Sequence, residues 1–272
     1  MQLNKRPLVM GILNVTPDSF ADGGRYLAPS QAVERARQMV HDGVDIIDIG
    51  GESTRPGAAT VSVSEELRRV IPVIEAIRSE SAIPISVDTS TPEVMREAAT
   101  IGIDLINDVR ALTRAGALAA AAATGLPVCL MHMQGDPKTM QRNPTYDDLL
   151  VEICRFFEAR MLACEAAGIP RSKLLLDPGF GFGKTVEHNL QLINRLDNFK
   201  DLGCPILVGL SRKSTIGQAI GNLTADRMAG SIAGAVVAFL NGASILRVHD
   251  VAETVQALQV VMAVQNEGLK GL

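Results

Sequence analysis

Short apolar, β-branched runs recur along the chain, and each stops at a polar residue able to do chemistry. Val9-Met10-Gly11-Ile12-Leu13 ends at Asn14, and Ile46-Ile47 ends at Asp48. The run from Ile83 to Val87 ends at Asp88, Leu105-Ile106 at Asn107-Asp108, and Leu174-Leu175-Leu176 at Asp177. Ile245-Leu246 leads into Arg247-Val248-His249. Runs of this kind read as strands buried on both faces of a parallel sheet, with function gathered at their C-terminal ends. The pattern predicts strands over 8–14, 44–49, 83–88, 104–109, 127–132, 173–177, 205–210 and 244–249. It predicts helices over 30–41, 64–80, 92–101, 115–123, 147–166 (the longest), 187–195, 225–240 and 251–266.

Strict alternation of eight strands and eight helices predicts a (β/α)8 TIM barrel, one domain over residues 1–272. An open doubly wound sheet is the alternative; it would have fewer strands and would collect its sites at one crevice. Ser30, Ser64 and Thr91 are the expected helix caps, Ser64 without a reciprocal partner, and Pro92 suits a first turn. Gly43, Gly102 and Gly242 each stand two residues before a small or acidic residue that leads directly into an apolar strand, which marks a repeated helix-to-strand turn.

Composition narrows the function. Hydrophobic residues make up 47% of 272 but aromatics only 3%, so the core is aliphatic and no base-stacking surface is available. A net charge of -4 argues against a general nucleic-acid binder while allowing a local anion site. Cys129, Cys154, Cys164 and Cys204 form no close pair; Cys129 and Cys204 sit in apolar runs and are expected in the core. No apolar segment in Met1 to Pro7 reads as a targeting signal and no run suits a membrane span, so a cytoplasmic enzyme with no membrane or nucleic-acid partner is expected.

Cations stand out at the late strands. Lys213 follows the seventh strand beside Ser211, and Arg247 and His249 alternate on the eighth, which places them on one face. With Arg55 they would form an anion pocket, a common use of this end of the barrel. Asp48, Asp88, Asp108 and Asp177, with Asn14 and Asn107, are expected to converge on the mouth. Oxygen and amide groups there suit either a polar heterocycle or Mg²⁺, and spacing alone leaves both open, together with a purely structural role. Gly179-Phe180-Gly181-Phe182-Gly183-Lys184-Thr185 is not a Walker loop; it reads as a close-approach loop with Phe182 as an apolar wall. His132 and His188 lack neighbours for a zinc site, and no nucleophile elbow is present.

Three segments carry a specific resemblance: Gly11 to Phe20, Asp48 to Gly57 (Asp-Ile-Gly-Gly-Glu-Ser-Thr-Arg-Pro-Gly), and Gly209 to Ser214. Asp177 to Lys184 and Arg247 to Asp250 add to it. The chain resembles the dihydropteroate synthase family over essentially its whole length. The resemblance implies condensation of 6-hydroxymethyl-7,8-dihydropterin diphosphate with p-aminobenzoate, releasing pyrophosphate. It implies that Asp88, Asn107, Asp177 and Lys213 hold the pterin. It assigns Asn14, Arg55, Arg247 and His249 to the diphosphate, with Asn14 helping to bind Mg²⁺. Thr54, Arg55, Pro56, Phe182, Ser211 and Lys213 would shape the aminobenzoate side. Asp88, Lys213, Arg247 and His249 would be the catalytic set, the loop from Thr16 to about Gly24 and the Thr54 loop would close over the reactants, and the enzyme would be a homodimer. Arg247→Ala is expected to impair turnover while leaving the fold largely intact. A related pterin-dependent methyltransferase and a noncatalytic pterin-sequestering protein are the competing readings.

Overall fold

A computed structural model describes residues 6–16, 29–53, 61–136 and 139–268. Its strands are β1 (Leu8–Asn14), β2 (Ile46–Gly50), β3 (Ile85–Asp88), β4 (Leu105–Asp108), β5 (Val128–Met131), β6 (Leu174–Asp177), β7 (Leu207–Val208) and β8 (Ile245–Val248). The helices are α1 (Pro29–His41), α2 (Val63–Glu80), α3 (Pro92–Ile101), α4 (Ala117–Thr124), α5 (Leu149–Ala166), α6 (Val186–Asn194), α7 (Ser214–Ala219), α8 (Met228–Leu240) and α9 (Val251–Gln265). All strands are parallel, in the order β6-β5-β4-β3-β2-β1-β8-β7. A bridge between Leu176 and Ile206 joins the two ends, so the sheet closes into a (β/α)8 barrel, not an open doubly wound sheet.

Period two sorts each strand's side chains. Val9, Leu13, Ile47, Ile49, Val87, Ile106, Leu130 and Leu246 point outward into the layer shared with the helices. The helices meet them with matching stripes: α2 buries Val70, Val73, Ile74 and Ile77 at helical spacing. The inward residues at the lower end form a separate apolar floor of Leu8, Met10, Ile46, Leu105, Cys129, Leu175, Leu207 and Ile245. Each such large aliphatic side chain contributes about 1.5–3 kcal/mol on burial. The interior polar residues of β2, β6 and β8, Asp48, Asp177 and Arg247, lie one strand repeat above this floor.

Several local details differ from the sequence reading. Ser62, not Ser64, caps α2 by accepting from the Glu65 amide at 3.3 Å. Ser30 lies inside the first turn of α1. Thr91 sits at the cap of α3, but its hydroxyl donates to Glu66 Oε2 at 2.5 Å instead of capping the helix. The seventh strand is only Leu207–Val208, and part of the expected loop after it winds into α7. Helices α2 and α5 are equally long, at 18 residues. The repeated turn is real: Gly43, Gly102 and Gly242 all hold left-handed backbone, with φ of 88°, 101° and 108°.

Candidate functional site

One strand repeat above the floor, the interior becomes polar. Asp48 is fully buried, and its Oδ2 accepts from Asn107 Nδ2 at 3.2 Å and from Arg247 Nε at 2.6 Å. Arg247 Nη2 donates to Asp88 Oδ2 at 2.7 Å, so one guanidinium spans two acids across the barrel. Asn14 lies beside them: a Cβ on Gly50 would sit 3.6 Å from both Asn14 Oδ1 and Asp88 Oδ2. Asp177 Oδ1 accepts the Gly179 amide at 2.8 Å. Ser211 Oγ lies 3.0 Å from His249 Nδ1 and accepts the His249 amide at 3.2 Å. Lys213 Nζ donates to the Phe180 carbonyl and stands 4.5 Å from the centre of the Phe182 ring.

Charge in this dry space is finely balanced. Burial pushes Asp88 up to about 7 against the pull of Arg247, with Asp48 adding to the rise. Burial likewise raises Asp177, opposed by Lys213. It lowers Lys213 to about 8, opposed by Asp177. Burial also works against the charge of Arg247, yet Asp48 and Asp88 hold its pKa above the ordinary value. Asp48 Oδ1 and Ser86 Oγ, on register-paired strands, are buried without a hydrogen-bond partner among the described residues. Carboxylate, amide and ammonium groups thus gather at one end of the barrel and offer acceptors and donors to a polar ligand.

The structure brings together Asn14, Asp48, Asp88, Asn107, Asp177, Lys213 and Arg247, with Phe182, Ser211 and His249 at the rim. Thr54, Arg55 and Pro56 lie outside the described residues, as does most of the Thr16–Gly24 loop. Asp108 does not converge on the mouth. Asn107 takes the inward position, so Asp108 faces outward, where it accepts from Ser90 Oγ and from the amides of Arg110 and Leu112, both at 2.8 Å. His188 completes the cap of α6 with Thr185. Arg247 does not stand as an isolated cation: its removal would strand the buried Asp48 and the largely buried Asp88, so the expectation that Arg247→Ala leaves the fold largely intact is revised.

Sequence reasoning missed Lys184. It is buried against His132 Nδ1 at 3.0 Å and the Phe182 carbonyl at 3.0 Å. Burial lowers it to about 7, opposed by Asp177. Burial, then the Lys184 charge, lowers His132 to about 2, leaving a neutral ring to accept. The glycine loop permits this packing: a Cβ on Gly179, at φ 72°, would lie 1.8 Å from the His132 carbonyl oxygen. The sequence signal was there, a lysine inside a close-approach loop, but its partner is 52 residues away. Among the described residues no group of three or more His, Cys, Asp or Glu side chains forms a metal cluster, and no helix is long and apolar enough to cross a membrane.

Residues 10–249 match the family described as pterin binding enzyme. The chain is 59% identical to the dihydropteroate synthase of Escherichia coli K12 over 257 residues, 94% of this chain and 91% of that relative. It superposes on a Yersinia pestis dihydropteroate synthase solved as a sulfonamide drug complex with a TM-score of 0.93 and 55% identity, covering 98% of this chain and 96% of that one. A Xanthomonas albilineans dihydropteroate synthase in complex with 7,8-dihydropteroate gives a TM-score of 0.87 at 49% identity, over 97% and 95% of the two chains. With a barrel closed around these acids and cations, the chain belongs to the pterin-binding enzyme family and, within it, to the dihydropteroate synthases.

Proposed function

We propose that the barrel mouth is where this transferase joins the dihydropterin methyl group to p-aminobenzoate and releases pyrophosphate, the condensation that gives 7,8-dihydropteroate in folate biosynthesis. The observation that carries this reading is the convergence of Asp88, Asn107, Asp177 and Lys213 at one end of the barrel, with the half-buried Phe182 ring beside the lysine. The four polar groups complement the donors and acceptors of a pterin edge, and the ring complements a benzene face. The E. coli relative's identity and the dihydropteroate held by the X. albilineans enzyme support the same substrates here.

In this mechanism the methylene C–O bond breaks with its electron pair leaving on the diphosphate. The pterin delocalises the positive charge left on carbon, and ionised Asp88 stabilises that charge. The amine nitrogen then attacks the methylene, and its surplus proton passes to solvent. Arg247 and His249, with Arg55, receive the charge of the departing diphosphate, while Thr54, Arg55, Pro56 and Ser211 shape the amine side. No residue becomes covalently attached, and isolation of a kinetically competent pterin–enzyme adduct would refute the scheme.

Mg²⁺ fits the donor set in a limited way. Asn14 Oδ1 beside Asp88 is a hard oxygen donor at the mouth, and an ion that keeps several waters needs few protein ligands. Asn14 would hold the ion, whose chemistry would be to neutralise charge on the leaving group. The reading is tested by chromatographic assay of the purified protein with each substrate and Mg²⁺ omitted in turn. Dihydropteroate and pyrophosphate should form only when both substrates are present. Product without p-aminobenzoate, or methyl transfer from a folate donor, would overturn it.

A homodimer built on α8 is part of the same proposal. Gly230 and Gly234 pack on Ile216 and Leu210 of the same subunit, whereas Ala229, Ala233, Val237 and Leu240 leave an exposed stripe. Light scattering across protein concentrations should give a dimer mass; a monomer throughout would reject it. Free thiols at all four cysteines suit a reducing, cytoplasmic setting.

A further inference from the structure

The loop that carries Phe182 has four consecutive carbonyls, and each accepts a hydrogen bond from a different side chain. Lys213 Nζ donates to Phe180, Gln141 Nε2 to Gly181 at 2.7 Å, Lys184 Nζ to Phe182 at 3.0 Å, and Tyr146 Oη to Gly183 at 2.7 Å. Two of these donors, Lys213 and Lys184, belong to the mouth or lie directly beneath it. The other two come from the segment between β5 and α5, to which the reaction assigns nothing.

The described residues of that segment are tied to one another and to their surroundings. Gln134 and Thr145 pair reciprocally, side-chain amide to backbone, at 2.7 and 3.2 Å, which ties together the ends of the stretch containing Gln141. The Tyr146 ring stands edge-on to His188 at 5.1 Å, and His188 is itself fixed in the capping box of α6. Gly183, at φ 62°, packs so closely that a Cβ would lie 2.5 Å from the Gln134 carbonyl oxygen. Within the loop, the Phe182 amide bonds the Gly179 carbonyl at 3.1 Å and Lys184 reaches back to the Phe182 carbonyl. The Gly181 and Gly183 carbonyls, by contrast, are held from outside it, by Gln141 and Tyr146.

We propose that Gln141 and Tyr146 are positioning residues for the aminobenzoate subsite, fixing the Phe182 ring beside Lys213 by gripping the carbonyls on either side of it. This rests on the reading of Phe182 as the wall met by the benzene ring. The two residues touch no substrate; they limit how far the ring swings away from the lysine.

The test is steady-state kinetics on Tyr146→Phe, Gln141→Leu and the double variant, with Phe182→Ala beside them. Tyr146→Phe removes only the hydroxyl, so its ring keeps its packing and the fold is preserved. A neutral hydrogen bond is worth about 1 kcal/mol, so the KM for p-aminobenzoate should rise about fivefold in each single variant and further in the double one. The KM for the pterin diphosphate should stay near that of the parent, and the thermal midpoint should fall by no more than the few degrees that the loss of one hydrogen bond costs. A rise in both KM values together, or a lowered midpoint with unchanged KM values, would reduce the two residues to structural supports and overturn the proposal. If Phe182→Ala raises the p-aminobenzoate KM and the double variant does not, only the positioning role fails. If Phe182→Ala leaves that KM unchanged, the wall itself is misassigned and the proposal falls with it.

Discussion

The floor and the mouth of this barrel are built from the same strands, one repeat apart, and they answer opposite demands. In β6 the floor residue is Leu175 and the mouth residue is Asp177; in β8 they are Ile245 and Arg247; in β2, Ile46 and Asp48. The floor is apolar and its contribution is burial. The mouth places two carboxylates on one guanidinium and an ammonium beside a third acid, in surroundings that disfavour all of them. Stability bought below thus tolerates poorly solvated charge above, where it meets the ligand.

Arg247→Ala should break this contrast most severely. Removing the guanidinium from a largely buried pair costs about 3 kcal/mol of stability or more, and loss of its transition-state contact lowers kcat/KM by about 100-fold or more. The lost stability should partly return as pH falls, because protonation of Asp88 removes one of the stranded charges. Denaturant unfolding at pH 5 and pH 8, with kinetics on the folded fraction, checks both halves.

Leu175→Ala is the complementary change in the floor. It should cost about 2–5 kcal/mol through lost burial and a residual cavity. Turnover per folded molecule should remain close to that of the parent. A large loss of kcat/KM there would show that the floor tunes the mouth directly.

The next effect is pH-dependent. Asp88 has a folded pKa of about 7, above its ordinary value of 3.8. Between these values the folded state binds more protons than the unfolded one, so stability falls as pH rises through the window. Activity should move the other way, because ionised Asp88 is the working form: kcat/KM for the pterin substrate should fall as pH drops through about 7. Thermal midpoints against pH for the parent and Asp88→Asn test the first statement; the parent pH–rate profile tests the second.

Lys184 acts on stability in the opposite sense, its folded pKa of about 7 lying below its ordinary 10.5. Between these values the unfolded state holds the extra proton, so this residue makes stability rise with pH. Lys184→Met should flatten that part of the profile, read as thermal midpoints from pH 7 to 10.

Much of the fold and part of the site were legible in the chain. Apolar runs ending at Asn14, Asp48, Asp88, Asp177 and Arg247 already marked strand ends. Alternation within a strand was the clue that Asn107 and Asp108 must face opposite ways, and reading both as mouth residues ignored it. Thr91 looked like a cap because local rules favour it there, but buried Glu66 competes for its hydroxyl and wins. The strand after Cys204 is short: Ile206 makes an isolated bridge to Leu176, and at its far end the Lys213 amide turns back onto the Leu210 carbonyl at 3.3 Å.

The sequence by itself determined the barrel, its alternation of layers and the residue types at each strand end, because these follow from periods of two and 3.6. Tertiary structure alone decided the partners. Arg247 meets Asp48 and Asp88 across separations of 199 and 159 residues, and Lys184 meets His132 across 52. Such pairings depend on how strands close around a common axis, and with them go the balances of charge that local pattern does not encode.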